Sequence, residues 1–269
     1  MSGAITQLIS KGAQDVYIQN NMKMLNRITK FTRYNNFSLK PQQILFPQTP
    51  QKNTLSVVPI DRAGDLLTGV WLESPTSNVV DNLKGTVFKL YIGGQKIDEQ
   101  DHTYISDIWP FYMAENATKG SYINNTVNHH KNTGFFPLHF FFCDNDMFLP
   151  LIALQYSRVE IHIEWGSRVE HIEDLKMYGH YGFIDINERK YLSSTGSQYL
   201  ITQVQKILPN QDNEIQYLRT LNHPVKSIFF GYPLSSWLPS GPSSTPLFTF
   251  DSVTLQLNDS FLFQDMSNV

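Results

Sequence analysis

Apolar and polar residues alternate most strictly between Arg158 and Trp165, where Val159, Ile161, Ile163 and Trp165 are separated by Glu160, His162 and Glu164. Side chains of a strand point alternately to its two faces, so this stretch predicts a strand with one buried face. Pro137 to Cys143 is aromatic at both parities and predicts a strand buried on both sides. Cys143-Asp144-Asn145-Asp146 has turn chemistry, and a further strand led by Pro150 is expected after it. Thr86 to Ile97 predicts a hairpin, because Phe88, Leu90 and Ile92 alternate before Gly93-Gly94, a pair that supplies the positive φ of tight turns. A phosphate-cradling glycine loop would need a helix to follow, and none is predicted there.

The same reading extends along the rest of the chain. A short helix with Ile5, Leu8 and Ile9 on one face is expected before Gly12. Residues 25–40 read as a strand with a solvated face. Residues 41–53, with three prolines and four glutamines, read as a loop. Leu55 to Glu73 reads as two strands split by Asp61-Arg62-Ala63-Gly64-Asp65. Tyr104 to Met113 predicts a helix carrying Ile105, Ile108, Trp109 and Tyr112, and Asn116 to Thr133 an exposed loop. Gly179 to Tyr191 is expected as a strand and Ser193 to Gln198 as a linker. Further strands are expected at Tyr199–Leu208, Glu214–Leu221, Val225–Phe230 and Ser252–Phe263, with Pro233–Pro246 a long loop. Residues 88–94 and 253–259 share an alternating strand followed by a turn, the echo a duplicated sandwich would leave.

Composition narrows the function classes. The chain has 269 residues, 41% hydrophobic and 17% charged, enough for one large domain or two smaller ones. A net charge of -3 gives no basic footprint for nucleic acid, and the basic residues Arg27, Lys30, Arg33 and Lys40 among aromatics read as a solvated strand face. The one cysteine, Cys143, permits no intrachain disulfide, fits a reducing compartment and reads as a buried inert thiol. Residues 1–20 lack the continuous apolar run of a signal peptide, and no window approaches a membrane span. The sequons at Asn36, Asn116, Asn124 and Asn258 therefore read as chance, with surface glycans left open.

No catalytic constellation rises above background. A Gly-X-Ser-X-Gly elbow, His-Glu-X-X-His and a Walker loop are all missing from the sequence. Asp101, His102, His129, His130 and His139 invite a zinc hypothesis, but their spacing fits no ligand motif, so structural or loop roles are expected. Glu160 and Glu164 would sit about 13–14 Å apart along one strand face, beyond the separations of paired glycosidase carboxylates. With Arg158 and His162 they read as a solvent-facing or subunit-facing row. Catalytic, cofactor and metal sites are all expected to be none, and the chain is not expected to be an enzyme.

Phe-Pro-Leu-His-Phe-Phe-Phe-Cys-Asp-Asn-Asp-Met-Phe-Leu-Pro-Leu-Ile-Ala-Leu-Gln-Tyr (136–156) resembles the signature segment of the major capsid proteins of large eukaryotic DNA viruses, of the algal-virus and iridovirus type. Gly12–Tyr17, Gly64–Leu67, Ile92–Asp98, Phe183–Asp185 with Glu188-Arg189, and Asn222–Lys226 recur in that family's order. The resemblance implies an all-β, tandem double jelly roll with a short N-terminal arm. The expected domains are an arm at 1–24, a first jelly roll at 25–192, a linker at 193–198 and a partial second jelly roll at 199–269. A half jelly roll would expose strand edges and core, so the chain is expected to be a fragment of a longer protein rather than a shortened paralogue. The implied function is that of a structural virion protein forming pseudo-hexagonal homotrimeric capsomers of an icosahedral shell, assembled in the host cytoplasm. Its implied partners are itself, minor capsid proteins and an internal membrane beneath the arm, without direct nucleic-acid binding. The alternatives are a minor capsid or penton-type jelly-roll protein, or a carbohydrate-binding jelly-roll module in which Trp237 would stack on sugar.

Overall fold

The computed structural model describes residues 37–75, 79–114, 134–143, 147–169, 174–195, 198–207, 217–218, 221, 223–229, 252–257 and 260–267. The chain divides into two compact units, residues 1–208 and 209–269.

In the first unit the described strands are β1 (Phe37–Ile44), β2 (Leu55–Pro59), β3 (Leu66–Glu73), β4 (Val87–Ile92), β5 (Gln95–Asp101), β6 (Phe135–Pro137), β7 (Val159–Glu164) and β8 (Lys176–Ile184). They form two four-stranded sheets, of order β1-β8-β3-β6 and β2-β7-β4-β5. Every pairing is antiparallel, and first pairs with last, second with seventh, third with sixth and fourth with fifth. That is one long hairpin rolled into two facing sheets, the jelly roll expected from the sequence. Alternation does the sorting. Ile161 and Ile163 of β7, Phe88 and Leu90 of β4 and Leu67 and Leu72 of β3 are fully buried between the sheets. Truncating one such residue to Ala costs about 2–5 kcal/mol.

The predicted hairpin is β4–β5, and Gly93 and Gly94 at its turn have φ of +60° and +81°. The predicted helix at Tyr104–Met113 is a π-turn, Tyr104–Ile108, running into α2 (Trp109–Tyr112); α1 (Val79–Asn82) precedes it in the chain. Several expectations need correcting. Pro41 lies inside β1, opposite His180, rather than in a loop. An edge strand tolerates proline because only half its N–H groups face a partner. The aromatic run is a strand only as far as Pro137; Phe141–Cys143 is a single 3₁₀ turn. Its burial is that of a plug, since Leu138, Phe140, Phe141 and Phe142 turn into the core instead of extending a sheet. Leu149 makes one bridge to Leu67, after which successive turns carry residues 150–157 in place of the Pro150-led strand. Finally, β8 stops at Ile184 and α3 (Ile186–Ser194) follows, capped by the Asp185 carboxylate accepting from Ile186 N at 2.7 Å. Asp185 and Glu188 stand at the N-cap and third helical positions, a spacing that signals a helix start.

Each edge strand is blunted. β1 carries Pro41, β2 ends on Pro59 and β6 is three residues long. β5 is screened by residues 203–206, which the sequence predicts as a strand but which join no ladder. Val204 N donates to Asp98 Oδ1 at 2.8 Å, Gln203 Nε2 to the Ile97 carbonyl, and Lys206 pairs with Asp101. Pairing of this edge with another strand is thereby obstructed.

In the second unit the described strands are β9 (Ser252–Leu257) and β10 (Ser260–Ser267), an antiparallel hairpin. Their positions repeat those of β4 and β5: 87–92 and 95–101 in the first unit, 252–257 and 260–267 in the second. The expected strand 225–230 has no ladder at residues 225–229. The N-terminal helix, the strand at 25–36, the 116–133 loop, the Asp144–Asp146 turn and the Pro233–Pro246 loop lie outside the described residues.

Candidate functional site: the outer sheet faces

Among the described residues, those the sequence singles out for chemistry are absorbed by structure. His102 is buried at 5% exposure, with one ring nitrogen 2.6 Å from the Val80 carbonyl and the other 3.2 Å from Ser106 Oγ, and it stacks on Phe136. Burial holds its pKa below the usual histidine value, so it is a neutral core residue. His139 stacks on Trp109 at 3.7 Å, while Asp101 accepts from Tyr104 N and pairs with Lys206. No group of three metal-ligand side chains occurs among the described residues. His129, His130, Trp237 and the four sequon asparagines lie outside them. Cys143 is a partly buried thiol packed against the core.

The β7 row forms part of a charged outer face on β2-β7-β4-β5. The ladders set Val57, His162, Lys89 and Glu99 side by side across the four strands. Lys89 lies 2.5 Å from Glu164 and 4.0 Å from Glu99, Lys96 lies 2.7 Å from Glu99, and His162 lies 3.1 Å from Glu160. The hydrogen bond to Glu164 raises the Lys89 pKa against its partial desolvation. Tyr91 stacks on His162 with ring centroids 4.1 Å apart. Glu160 and Glu164 thus have separate partners, His162 and Lys89, instead of facing each other as a carboxylate pair. Exposed pairs of this kind contribute at most about 1 kcal/mol each, so the face is a solvated or docking surface more than a source of stability.

The opposite outer face, on β1-β8-β3-β6, is aromatic, and nothing in the sequence pattern announced it. Trp71 of β3 stacks on Tyr178 of β8 at 5.8 Å, meets His180 edge-on at 6.4 Å and packs on Phe135 of β6 at 6.3 Å. Burial lowers the His180 pKa, as suits an imidazole in an apolar patch. Three strands distant in sequence supply these rings, so only the sheet order brings them together. At one end of the sandwich, Ile92, Ile97, Phe141, Leu149, Leu154 and Tyr199 are among the residues around an open apolar cleft of about 420 Å³.

Comparison with known proteins fits this architecture. Residues 27–178 match the family model described as "Major capsid protein N-terminus". The chain is 29% identical to the major capsid protein of Pyramimonas orientalis virus, over 96% of this chain and 71% of that protein. It is 28% identical to the major capsid protein of Paramecium bursaria Chlorella virus 1, over 84% of this chain and 60% of that protein. Among solved structures, a quasi-atomic model of the PBCV-1 virus capsid superposes with a TM-score of 0.51 at 26% identity, covering 66% of this chain and 50% of that one. The chain therefore spans about half to seven-tenths of the length of these relatives. They are structural capsid proteins rather than enzymes, which agrees with the absorbed chemistry of the candidate residues. On the family match and the jelly-roll topology together, this chain belongs to the viral major capsid protein family.

Proposed function

We propose that the chain is a structural virion protein, a major capsid protein whose sandwiches assemble as homotrimeric, pseudo-hexagonal capsomers of a large icosahedral DNA virus. The observation that carries this reading is the recurrence of the β4–β5 hairpin positions at β9–β10, beside a jelly roll of the capsid family. Two similar sandwiches per chain let three chains approximate a hexagon, a shape that tiles a flat lattice. The domain plan that goes with it is an arm at 1–24, a first jelly roll that takes in the strap at 203–206 along β5, and a second sandwich after it. The partners are further copies of the chain, minor capsid proteins, and an inner membrane beneath the arm, with assembly in the host cytoplasm. Association of this kind buries on the order of thousands of Å² per subunit, as obligate interfaces do.

The test is quantitative mass spectrometry of purified particles, with native mass of the released protein. A dominant copy number and a trimeric mass are expected. A few copies per particle would move the protein to a minor, penton-type role, and absence from particles would end the capsid reading.

A further inference from the structure

The apolar cleft of about 420 Å³ at the end of the first sandwich has a wall and a rim that define what can fill it. Ile92, Ile97, Leu149 and Leu154 form an aliphatic wall, and no charged side chain is among the described lining residues. The rim at the end of α3 carries hydroxyls that are already engaged: Ser193 Oγ donates to the Lys190 carbonyl at 3.1 Å, and Ser194 Oγ to the same carbonyl at 2.7 Å. A site that asks for neither charge nor hydrogen bonds selects an aliphatic surface, since a charged group there would lose its hydration without compensation. Its volume is in the range of clefts that take a ligand-sized group.

The cleft lies at the end of the sandwich where the N-terminal part of the chain enters. β1 begins at Phe37, whose register partner Ile184 ends β8. Ile184 N donates to the Asp65 carboxylate at 3.0 Å, and the Asp65 carbonyl accepts from Ile152 N at 3.1 Å, between the cleft residues Pro150 and Ala153. From the same point α3 runs to the rim, nine residues and so about 14 Å. Residues 1–36, outside the described residues, thus join the sandwich within about one short helix of the cleft. They carry Ile5, Leu8 and Ile9, spaced i, i+3 and i+4, the anchor pattern of a helix laid in a groove. Residues 2–10 have no charged side chain, as the cleft requires, whereas Met24, Leu25 and Ile28 are interleaved with Lys23, Arg27 and Lys30. So short a helix does not hold alone in water and needs a surface. Residues 11–36 can span the distance at about 3.3 Å per residue. The shared chain sets an effective concentration on the order of millimolar, at which even a weak contact is populated.

We propose that the cleft seats the aliphatic stripe Ile5-Leu8-Ile9 of the same chain, as a short helix covering the end of the first sandwich. The inference concerns the single subunit and stands apart from the capsomer reading. The test is hydrogen–deuterium exchange of the full 269-residue chain, read by mass spectrometry, with circular dichroism to verify folding. In the wild type, amides of residues 2–10 should exchange at least about tenfold more slowly than in a free peptide of that sequence, and equally at every protein concentration. Leu8→Asp should abolish that protection and speed exchange at residues 149–154. Gln7→Asp adds the same charge on the opposite side of the helix and should leave protection within about twofold of wild type. From the other side, Ala153→Asp, at an exposed position of the cleft, should release residues 2–10 without altering the stripe or the core. Exchange of residues 2–10 at the free-peptide rate in the wild type overturns the proposal. So does protection that survives Leu8→Asp or Ala153→Asp, or equal loss in Gln7→Asp and Leu8→Asp. Protection that fades on dilution would put a second copy's segment in the cleft and overturn the same-chain assignment.

Discussion

Asp98 is 3% exposed, and its carboxylate accepts from Val204 N, Gln100 Nε2 and Glu99 N. Desolvation outweighs those bonds and raises its pKa above the usual 3.8. The folded chain therefore holds this proton more tightly than the unfolded chain, so the contribution of Asp98 to stability grows as pH falls from neutral toward 3.8. His102 acts with the opposite sign. Burial lowers its pKa below 6.5, the unfolded chain protonates first, and stability is lost as pH falls through that value. Melting temperature followed from pH 7 toward 4 should accordingly fall more steeply in Asp98→Asn than in wild type, and less steeply in His102→Gln. Three parallel curves would show that neither group couples folding to protons. Glycines make a second residue-level contrast. A Cβ on Gly166 would lie 2.2 Å from the Lys84 carbonyl oxygen, backbone that cannot swing aside, whereas one on Gly94 meets nothing within 4 Å and suffers only from φ of +81°. Gly94→Ala should cost about 1–2 kcal/mol in urea unfolding and Gly166→Ala more than that, and the reverse order would refute the packing argument.

Among the elements, α3 is held by few interactions, and they rank. Asp65 accepts from Ile184 N at 3.0 Å and from Arg189 at 2.9 and 3.0 Å, tying the helix to the end of β8. Asp185 supplies one capping bond at the helix start. Asp65→Ala should lower stability by about 2 kcal/mol and Asp185→Ala by about 1 kcal/mol, measured by chemical denaturation. Equal costs would mean the tether adds nothing to the cap. This element also marks where sequence reading stopped. β7 and the β4–β5 hairpin were legible because one face alternates cleanly and Gly93-Gly94 fixes the turn. The aromatic run at 137–143 was misread as a strand because dense burial looks the same whether a segment lies in a sheet or plugs its end. For α3, a helix with no buried residue left no apolar stripe, and only the Asp185–Glu188 spacing pointed to it. The face around Trp71 was invisible for another reason. Its rings come from β3, β6 and β8, and which strands neighbour one another is a long-range property that local alternation does not encode.

For the molecule as a whole, the described core of the first unit closes on itself: both sheets bury their inner faces against each other, and residues 203–206 finish the β5 edge. Residues 1–208 expressed alone should therefore unfold in one cooperative thermal transition. Residues 209–269 alone should show none if the β9–β10 hairpin is their main order, because a lone two-stranded hairpin is marginal in water. A cooperative melt of the short piece would show a second core that stands without its neighbour. The blunted edges carry a consequence for production of the protein. A subunit accumulating to high concentration is exposed to templated fibre growth, in which each unpaired strand recruits the next by main-chain bonding and the product is a cross-β thread. Proline in β1, a proline stop on β2, a three-residue β6 and a strap along β5 leave little main chain for such a thread to copy. Association is thereby steered from edges to broad faces, where side chains choose the partner and a finite, closed object can win over an endless one.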